Sequence, residues 1–278
     1  MMDTLYAAMN VLLPFEWISY TFMKNALLAL LLITPLFGLL GTMAVDNKMA
    51  FFSDALGHSA LTGIAIGVLL GWENQMAAML IFGLLWAVLI TFVKHHSKMS
   101  ADTIISVFSS TSIALGLVVL SRGGAFAKYS SVLVGDVLSI TQADLAYLLL
   151  ALIATALCWL LLFNPLMITS VNAPLASSRG IRSALTEYAF TMLVAVAVMV
   201  SIRWVGVMLI NSLLILPAAA SRNVARNAAG YMRLSVIISM VCGVCGLILS
   251  YYLDTSAGAA VVLLCALVYF ATLPLRRK

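Results

Sequence analysis

The residues best placed to do chemistry lie in one stretch, Phe51-Phe52-Ser53-Asp54-Ala55-Leu56-Gly57-His58-Ser59-Ala60-Leu61-Thr62-Gly63. Asp54 and His58 are four positions apart and so project from one side of a helix, along a line that Thr62 continues. A carboxylate with an imidazole is a mixed oxygen and nitrogen ligand set, suited to zinc and also to manganese or iron. The same spacing serves equally for a buried Asp–His hydrogen bond that only ties helices together, and the pair alone does not choose. Beside it runs a second line, Ala55, Ser59, Gly63, Gly67 and Gly71, whose small side chains let another helix approach closely. The helix is therefore expected at the centre of a bundle, with an acid and an imidazole next to a tight contact.

Two ligands do not complete a metal site. The remaining acids worth weighing are Asp136, in Val134-Gly135-Asp136-Val137-Leu138-Ser139, and Asp254, in the turn-like run Ser250-Tyr251-Tyr252-Leu253-Asp254-Thr255-Ser256-Ala257-Gly258. Each also reads as a cap or turn residue. His95 and His96 fall in the basic run Lys94-His95-His96-Ser97-Lys98 and are expected to be solvated. Glu187 enters a helix near its start, where a carboxylate is favoured by the helix dipole. Cys158, Cys242, Cys245 and Cys265 all sit in apolar runs and read as packing residues; Cys242 and Cys245 share a helical face, with no second ligand pair near them. No G-x-x-x-x-G-K-[ST] loop and no Ser–His–Asp pattern occurs, so the chain is not expected to be an enzyme or to hydrolyse ATP by that route.

The elements that must hold these residues follow from composition. Hydrophobic residues make up 64% of the 278 and charged residues only 9%, where a soluble domain carries about 25% charged. Lipid must be the solvent. A span needs about 20 apolar residues, and nine runs qualify, near 22–44, 51–71, 75–93, 103–121, 143–163, 184–202, 204–220, 233–252 and 258–274. The sixth and seventh are divided only by Arg203 and Trp204, so the expected fold is all-α: a polytopic transmembrane bundle of eight or nine spans, one domain over residues 1–278. With nine, eleven of the fifteen Lys and Arg residues lie on the side of the C-terminus and Lys24, Arg122, Lys128 and Arg203 on the other, which places the N-terminus outside and the C-terminus in the cytoplasm. The residues up to Phe22 lack a signal-peptide pattern. The net charge of +5 sits in loops with no basic stripe and interleaved aromatics, so nucleic acid is not an expected partner. The external connection from Arg122 to Gln142 is expected to hold a short helix lying against the bundle; the internal one, 164–183, carries Pro165, Pro174 and Ser177-Ser178-Arg179-Gly180.

Three stretches together resemble the zinc/manganese class of ATP-binding-cassette permeases. Asp54 to Gly63 resembles that family's D-[AT]-[LI]-x-H-[AS]-x-L-x-G motif. Gly135-Asp136-Val137-Leu138-Ser139 resembles its G-D-[IL]-L-[SA] segment, and Gly206 to Arg222, with Leu213-Leu214-Ile215-Leu216-Pro217-Ala218-Ala219-Ala220-Ser221-Arg222, its G-x-x-L-x-x-[SA]-L-L-I-x-P-A-A-x-A-R block. The run from Tyr252 to Gly258 also fits, and the likeness extends from about residue 20 to 274 in order. It implies a multi-pass permease subunit of the bacterial plasma (inner) membrane that imports zinc or manganese ions as cargo, with no permanently bound cofactor. It further implies a homodimer in the lipid bilayer, a separate ATP-binding-cassette ATPase that docks on a coupling helix within 164–183, and an extracytoplasmic metal-binding protein that delivers the ion. By motif match Asp54 and His58 are the metal ligands, with Asp136 and Asp254 in second rank near the external mouth. Two departures stand out. Members often have an acidic pair in the coupling segment, where Val171-Asn172-Ala173-Pro174-Leu175-Ala176 has none. Some zinc-type members carry a histidine in the fourth span, where this chain has Phe108-Ser109-Ser110-Thr111-Ser112. The competing readings are a secondary, proton-coupled metal transporter and a permease for a metal chelate; the small-residue packing beside Asp54 argues against the wide cavity a chelate needs.

Overall fold

The structure is a computed structural model that describes residues 6–7, 9–10, 15–122 and 135–275. Within these the chain is helical: α1 (Thr21–Asp46), α2 (Phe52–Leu69), α3 (Gln75–His96), α4 (Ala101–Arg122), α5 (Gln142–Val171), the short α6 (Ala173–Ser178), α7 (Ser183–Val224), α8 (Ala228–Tyr252) and α9 (Ala257–Thr272). All but α6 are long and apolar enough to cross a membrane, eight among the described residues. An all-helical build is what lipid demands, because a helix satisfies its backbone hydrogen bonds internally. The ends are set by side chains. Asn74 caps α3, accepting from the Ala77 amide at 3.1 Å, and Asn227 caps α8 through the Gly230 amide at 2.6 Å. Thr141 and Asp144 form a reciprocal capping box at the start of α5.

Seven of the nine expected segments match single helices to within a few residues, except that α5 runs on to Val171. Pro165 does not stop it; the Thr169 hydroxyl donates to the Pro165 carbonyl at 2.8 Å within the continued helix. The sixth and seventh segments are joined in α7, whose 42 residues would reach about 63 Å if straight, twice the hydrocarbon core. The break is at Gly206 (φ 77°, ψ 160°) and not at Arg203 and Trp204, which are helical. Contacts on either side give the directions. Glu187 reaches Lys94 and His95 at the end of α3, and Arg203 lies beside Glu73–Met76 at its start, so the first half runs antiparallel to α3. Beyond the break Val207 meets Gly57 and Asn211 meets Asp54, antiparallel to α2, while Arg222 pairs with Asp46 at the end of α1 at 3.2 Å. Because α2 and α3 form a hairpin, packed at Gly63 against Ala78 and Met79, the two halves of α7 run in opposite directions. The chain folds back at Gly206.

One face thus collects the ends of α1, α3 and α7 with the starts of α2, α4 and α8. It carries Lys48, Lys94, Lys98, Arg179, Arg182, Arg222, Arg226 and Arg233, against Lys24, Arg122 and Arg203 on the other face, and is cytoplasmic by the excess of positive charge. On the external side residues 123–134 lie outside the described residues, and with them most of the connection expected to hold a helix, including Lys128. Its described end holds a single 3-10 turn, Val137–Ser139, fastened to α1 where the Asn25 amide donates to the Ile140 carbonyl at 2.9 Å. Arg276, Arg277 and Lys278 also lie outside the described residues. Gly135 (φ 69°) packs backbone to backbone on the fold-back: a Cβ there would stand 2.2 Å from the Gly206 nitrogen. Gly71 has the same φ in open space. Gly71→Ala is therefore expected to cost only the left-handed penalty, about 1–2 kcal/mol. Gly135→Ala must also push two backbones apart, and its thermal midpoint in detergent is expected to fall well below that of Gly71→Ala.

Candidate metal pathway

Asp54 sits in the first turn of α2 and His58 one turn on, with side chains 37% and 25% exposed, the least buried polar groups of a helix that is otherwise buried from Phe52 to Ala65. The Asp54 Oδ2 oxygen lies 3.5 Å from His58 Nε2 and 3.5 Å from the Ser109 hydroxyl of α4. The Asp54 Oδ1 oxygen accepts from the Asn211 amide nitrogen of α7 at 2.7 Å, and the Asn211 amide oxygen accepts from the Ser53 hydroxyl at 2.5 Å. Three helices therefore fix one carboxylate. Beside it is a hollow of about 170 Å³ lined by Phe51, Asp54, Ile105, Ser106, Ser109 and Ser110. Two ligands each about 2.1 Å from a tetrahedral ion stand about 3.4 Å apart, so the Oδ2–Nε2 separation is already that of two ligands sharing one zinc-sized ion.

The small-residue line packs as its spacing implies as far as Gly67; Gly71 lies past the helix end in open space. Ala55 and Ser59 are fully buried, and Gly63 and Gly67 admit α3 so closely that a Cβ at Gly67 would come 2.6 Å from the Ala78 Cβ. Thr62 does not share the openness of the Asp54–His58 line. It is buried and hydrogen-bonded to the Ser112 carbonyl at 2.5 Å, against Gly116, and so joins α2 to α4.

The second-rank acids are elsewhere. Asp136 is exposed and caps the Val137–Ser139 turn, accepting from the Leu138 amide at 3.0 Å. Asp254 is exposed at φ 49° in the turn after α8. Their two segments meet: residues 135–138 and 255–258 line one external hollow of about 110 Å³ together with Val205. Neither acid is brought to Asp54 and His58. Among the described residues no three His, Cys, Asp or Glu side chains come together as a ligand cluster, so one copy of the chain offers the pair alone.

Several expectations change. His95 and His96 are exposed as expected, but they form the last turn of α3 rather than a loop: His95 lies 3.1 Å from Glu187, and His96 stacks on Phe92 with its Nδ1 2.8 Å from that residue's carbonyl. Glu187 lies a full turn into α7 and bridges helices, also taking Lys94 at 2.5 Å, with all three side chains at most 30% exposed. Cys242 and Cys245 part company: Cys242 is buried against Cys265, and Cys245 is exposed. Asn211 and Ser109 were not singled out from the sequence. The signal for Asn211 was present as a lone amide in the apolar run from Val205 to Pro217.

With this geometry in place, comparison with known proteins decides the family. A model described as the ABC 3 transport family matches residues 19–276. The chain belongs to the ABC 3 transport family. Two relatives within reach of this ABC 3 protein are the high-affinity zinc uptake system membrane protein ZnuB of Haemophilus influenzae, 32% identical over 86% of this chain and 92% of that one, and the manganese import system permease protein ScaB of Streptococcus parasanguinis, 30% identical over 94% of each. The solved structure of PsaBC from Streptococcus pneumoniae in complex with Fab superposes with a TM-score of 0.80 at 26% identity, covering 98% of this chain and 95% of that one. The protein is a multi-pass membrane protein of bacterial plasma-membrane type. The bridge at Glu187 ties α3 to α7 through two partners. Glu187→Ala strands Lys94 and His95 without their anion and is expected to destabilise the protein by about 1–3 kcal/mol, seen as a lower unfolding midpoint in detergent.

Proposed function

We propose that this chain is the membrane-spanning permease subunit of an ATP-driven importer of zinc or manganese ions, and that Asp54 and His58 are the groups the ion meets in transit. The observation that carries the reading is the half-open Asp54–His58 pair, a carboxylate oxygen and a ring nitrogen 3.5 Å apart, inside an apolar bundle. Ionisable groups are costly there and are kept for a pathway or a partner. The family and the relatives named for zinc and manganese uptake support the class of cargo.

One copy supplies two strong ligands, enough for an ion that must bind and leave again. Two copies related by a twofold axis would double the set to two carboxylates and two imidazoles. The exposed Ser106, Ser110 and Thr111 of α4, polar side chains on a membrane helix next to Asp54, support a second copy or a water-filled passage at that face. The motor is a separate ATPase. Its docking point is α6, a six-residue helix capped by Asn172 through the Leu175 amide at 3.0 Å, with Leu175 exposed at the cytoplasmic face and Gly180 turning the chain into α7. Movement of α6 passes into α7, whose second half holds Asp54 through Asn211. Asp136 lines the external hollow and Asp254 directly precedes the segment that closes it, where a delivering protein outside the membrane would hand over the ion.

The hollow beside Asp54, at about 170 Å³, falls short of the roughly 300–1,000 Å³ of small-molecule pockets and favours a bare ion over a chelate. A proton-coupled transporter would work in vesicles containing this chain alone. In a metal-starved host making the whole transporter, Asp54→Ala and His58→Ala are each expected to lower metal accumulation at least about tenfold, with permease level and ATPase co-purification unchanged. Wild-type accumulation by both variants would falsify the assignment.

A further inference from the structure

Asp54 has two oxygens, and the structure treats them differently. Oδ2 lies 3.5 Å from His58 Nε2 and 3.5 Å from the Ser109 hydroxyl, beside a hollow that Asp54 helps to line. Oδ1 is turned to α7 and held by the Asn211 amide at 2.7 Å. Asn211 must turn its nitrogen to Asp54, because a carboxylate only accepts, and its amide oxygen is then left to accept the Ser53 hydroxyl at 2.5 Å. The Ser53 hydroxyl is fully buried and holds the other end of the amide in place. The result is a carboxylate with one oxygen held closely and the other held only by long contacts of 3.5 Å. We infer that Asn211 is a positioning residue that sets the metal selectivity of the pathway, by holding Asp54 to a single ligating oxygen and so favouring zinc over manganese.

The chemistry is that of coordination number. Zinc is satisfied by four ligands, and a one-oxygen carboxylate with an imidazole is half of such a set. Manganese prefers a larger shell of hard oxygens, for which a carboxylate that chelates through both oxygens is the natural contributor. Outer-shell hydrogen bonds of this kind orient the ligand, and their loss changes metal affinity by about 10–100-fold. A purely structural role for Asn211 would weaken uptake of both metals alike. A role in choosing the ligation mode changes their ratio.

The inference rests on the reading of Asp54 as a metal ligand, and the experiment separates the two. Host cells lacking other zinc and manganese importers make the complete transporter and are given radioactive zinc and radioactive manganese in one medium. Asn211→Ala frees Oδ1. Asn211→Asp keeps the shape of the side chain, removes the donor and adds a hard oxygen. Each is expected to lower the zinc-to-manganese uptake ratio about tenfold, and Ser53→Ala, which only loosens the amide, to lower it less. A ratio within one preparation is independent of expression, and the near-isosteric Asn211→Asp gives the answer if the alanine variant folds poorly. A wild-type ratio in both Asn211 variants, with Asp54→Ala still abolishing uptake of both metals, overturns the selectivity role and leaves the permease reading intact. Full uptake by Asp54→Ala removes both.

Discussion

A carboxylate inside an apolar bundle has to be held by donors, and everything distinctive about this fold follows from how Asp54 is held. Its donors come from three directions: His58 one turn along α2, Ser109 on α4 and Asn211 on α7. None of the three is a fixed cation. The carboxylate is therefore positioned without being neutralised, which is the state that suits a passing divalent ion. The contrast is Glu187, which takes both Lys94 and His95. That acid is spoken for, and it works as a fastener.

To bring Asn211 to Asp54, α7 has to turn back halfway. The reversal uses one residue, Gly206, at a φ an L side chain resists, and Gly135 of the external segment packs directly on it. The two glycines explain each other. The external loop can lie on the fold-back only where both chains lack a Cβ, and the fold-back places the second half of α7 between α1 and α2. There Leu214 lies so close to Gly41 that a Cβ would come 1.9 Å from its carbonyl oxygen. Small residues here do the work that the hydrophobic effect does in water, since apolar helices gain nothing from burying surface away from lipid.

The apolar runs were legible because a span is a composition signal about twenty residues long, and the Asp54–His58 line was legible because helical spacing is local. The fold-back point was displaced from Arg203 and Trp204 to Gly206, because a charge beside an aromatic resembles a membrane boundary, while the real requirement was a backbone angle. Contacts between residues far apart in the chain left no local trace. Lys94 and Glu187 are separated by 93 positions, and Asp54 and Asn211 by 157. Asn211 carried a hint, one amide in an apolar block, but its partner could be found only in three dimensions. Asp136 and Asp254 are second-rank candidates in the sequence, as remaining acids that fit a motif and equally fit a cap or a turn. The structure joins their segments to each other across the external hollow and leaves them apart from Asp54 and His58.

On the proposed pathway the ion binds through the oxygen of Asp54 and the ring nitrogen of His58. X-ray absorption on the zinc-loaded permease, purified with its partner subunits, reads the first shell of the metal directly. The account predicts nitrogen and oxygen donors at about 2.0–2.1 Å, with an imidazole scattering signature that disappears in His58→Gln. A sulfur shell, or an imidazole signature unchanged in that variant, contradicts it.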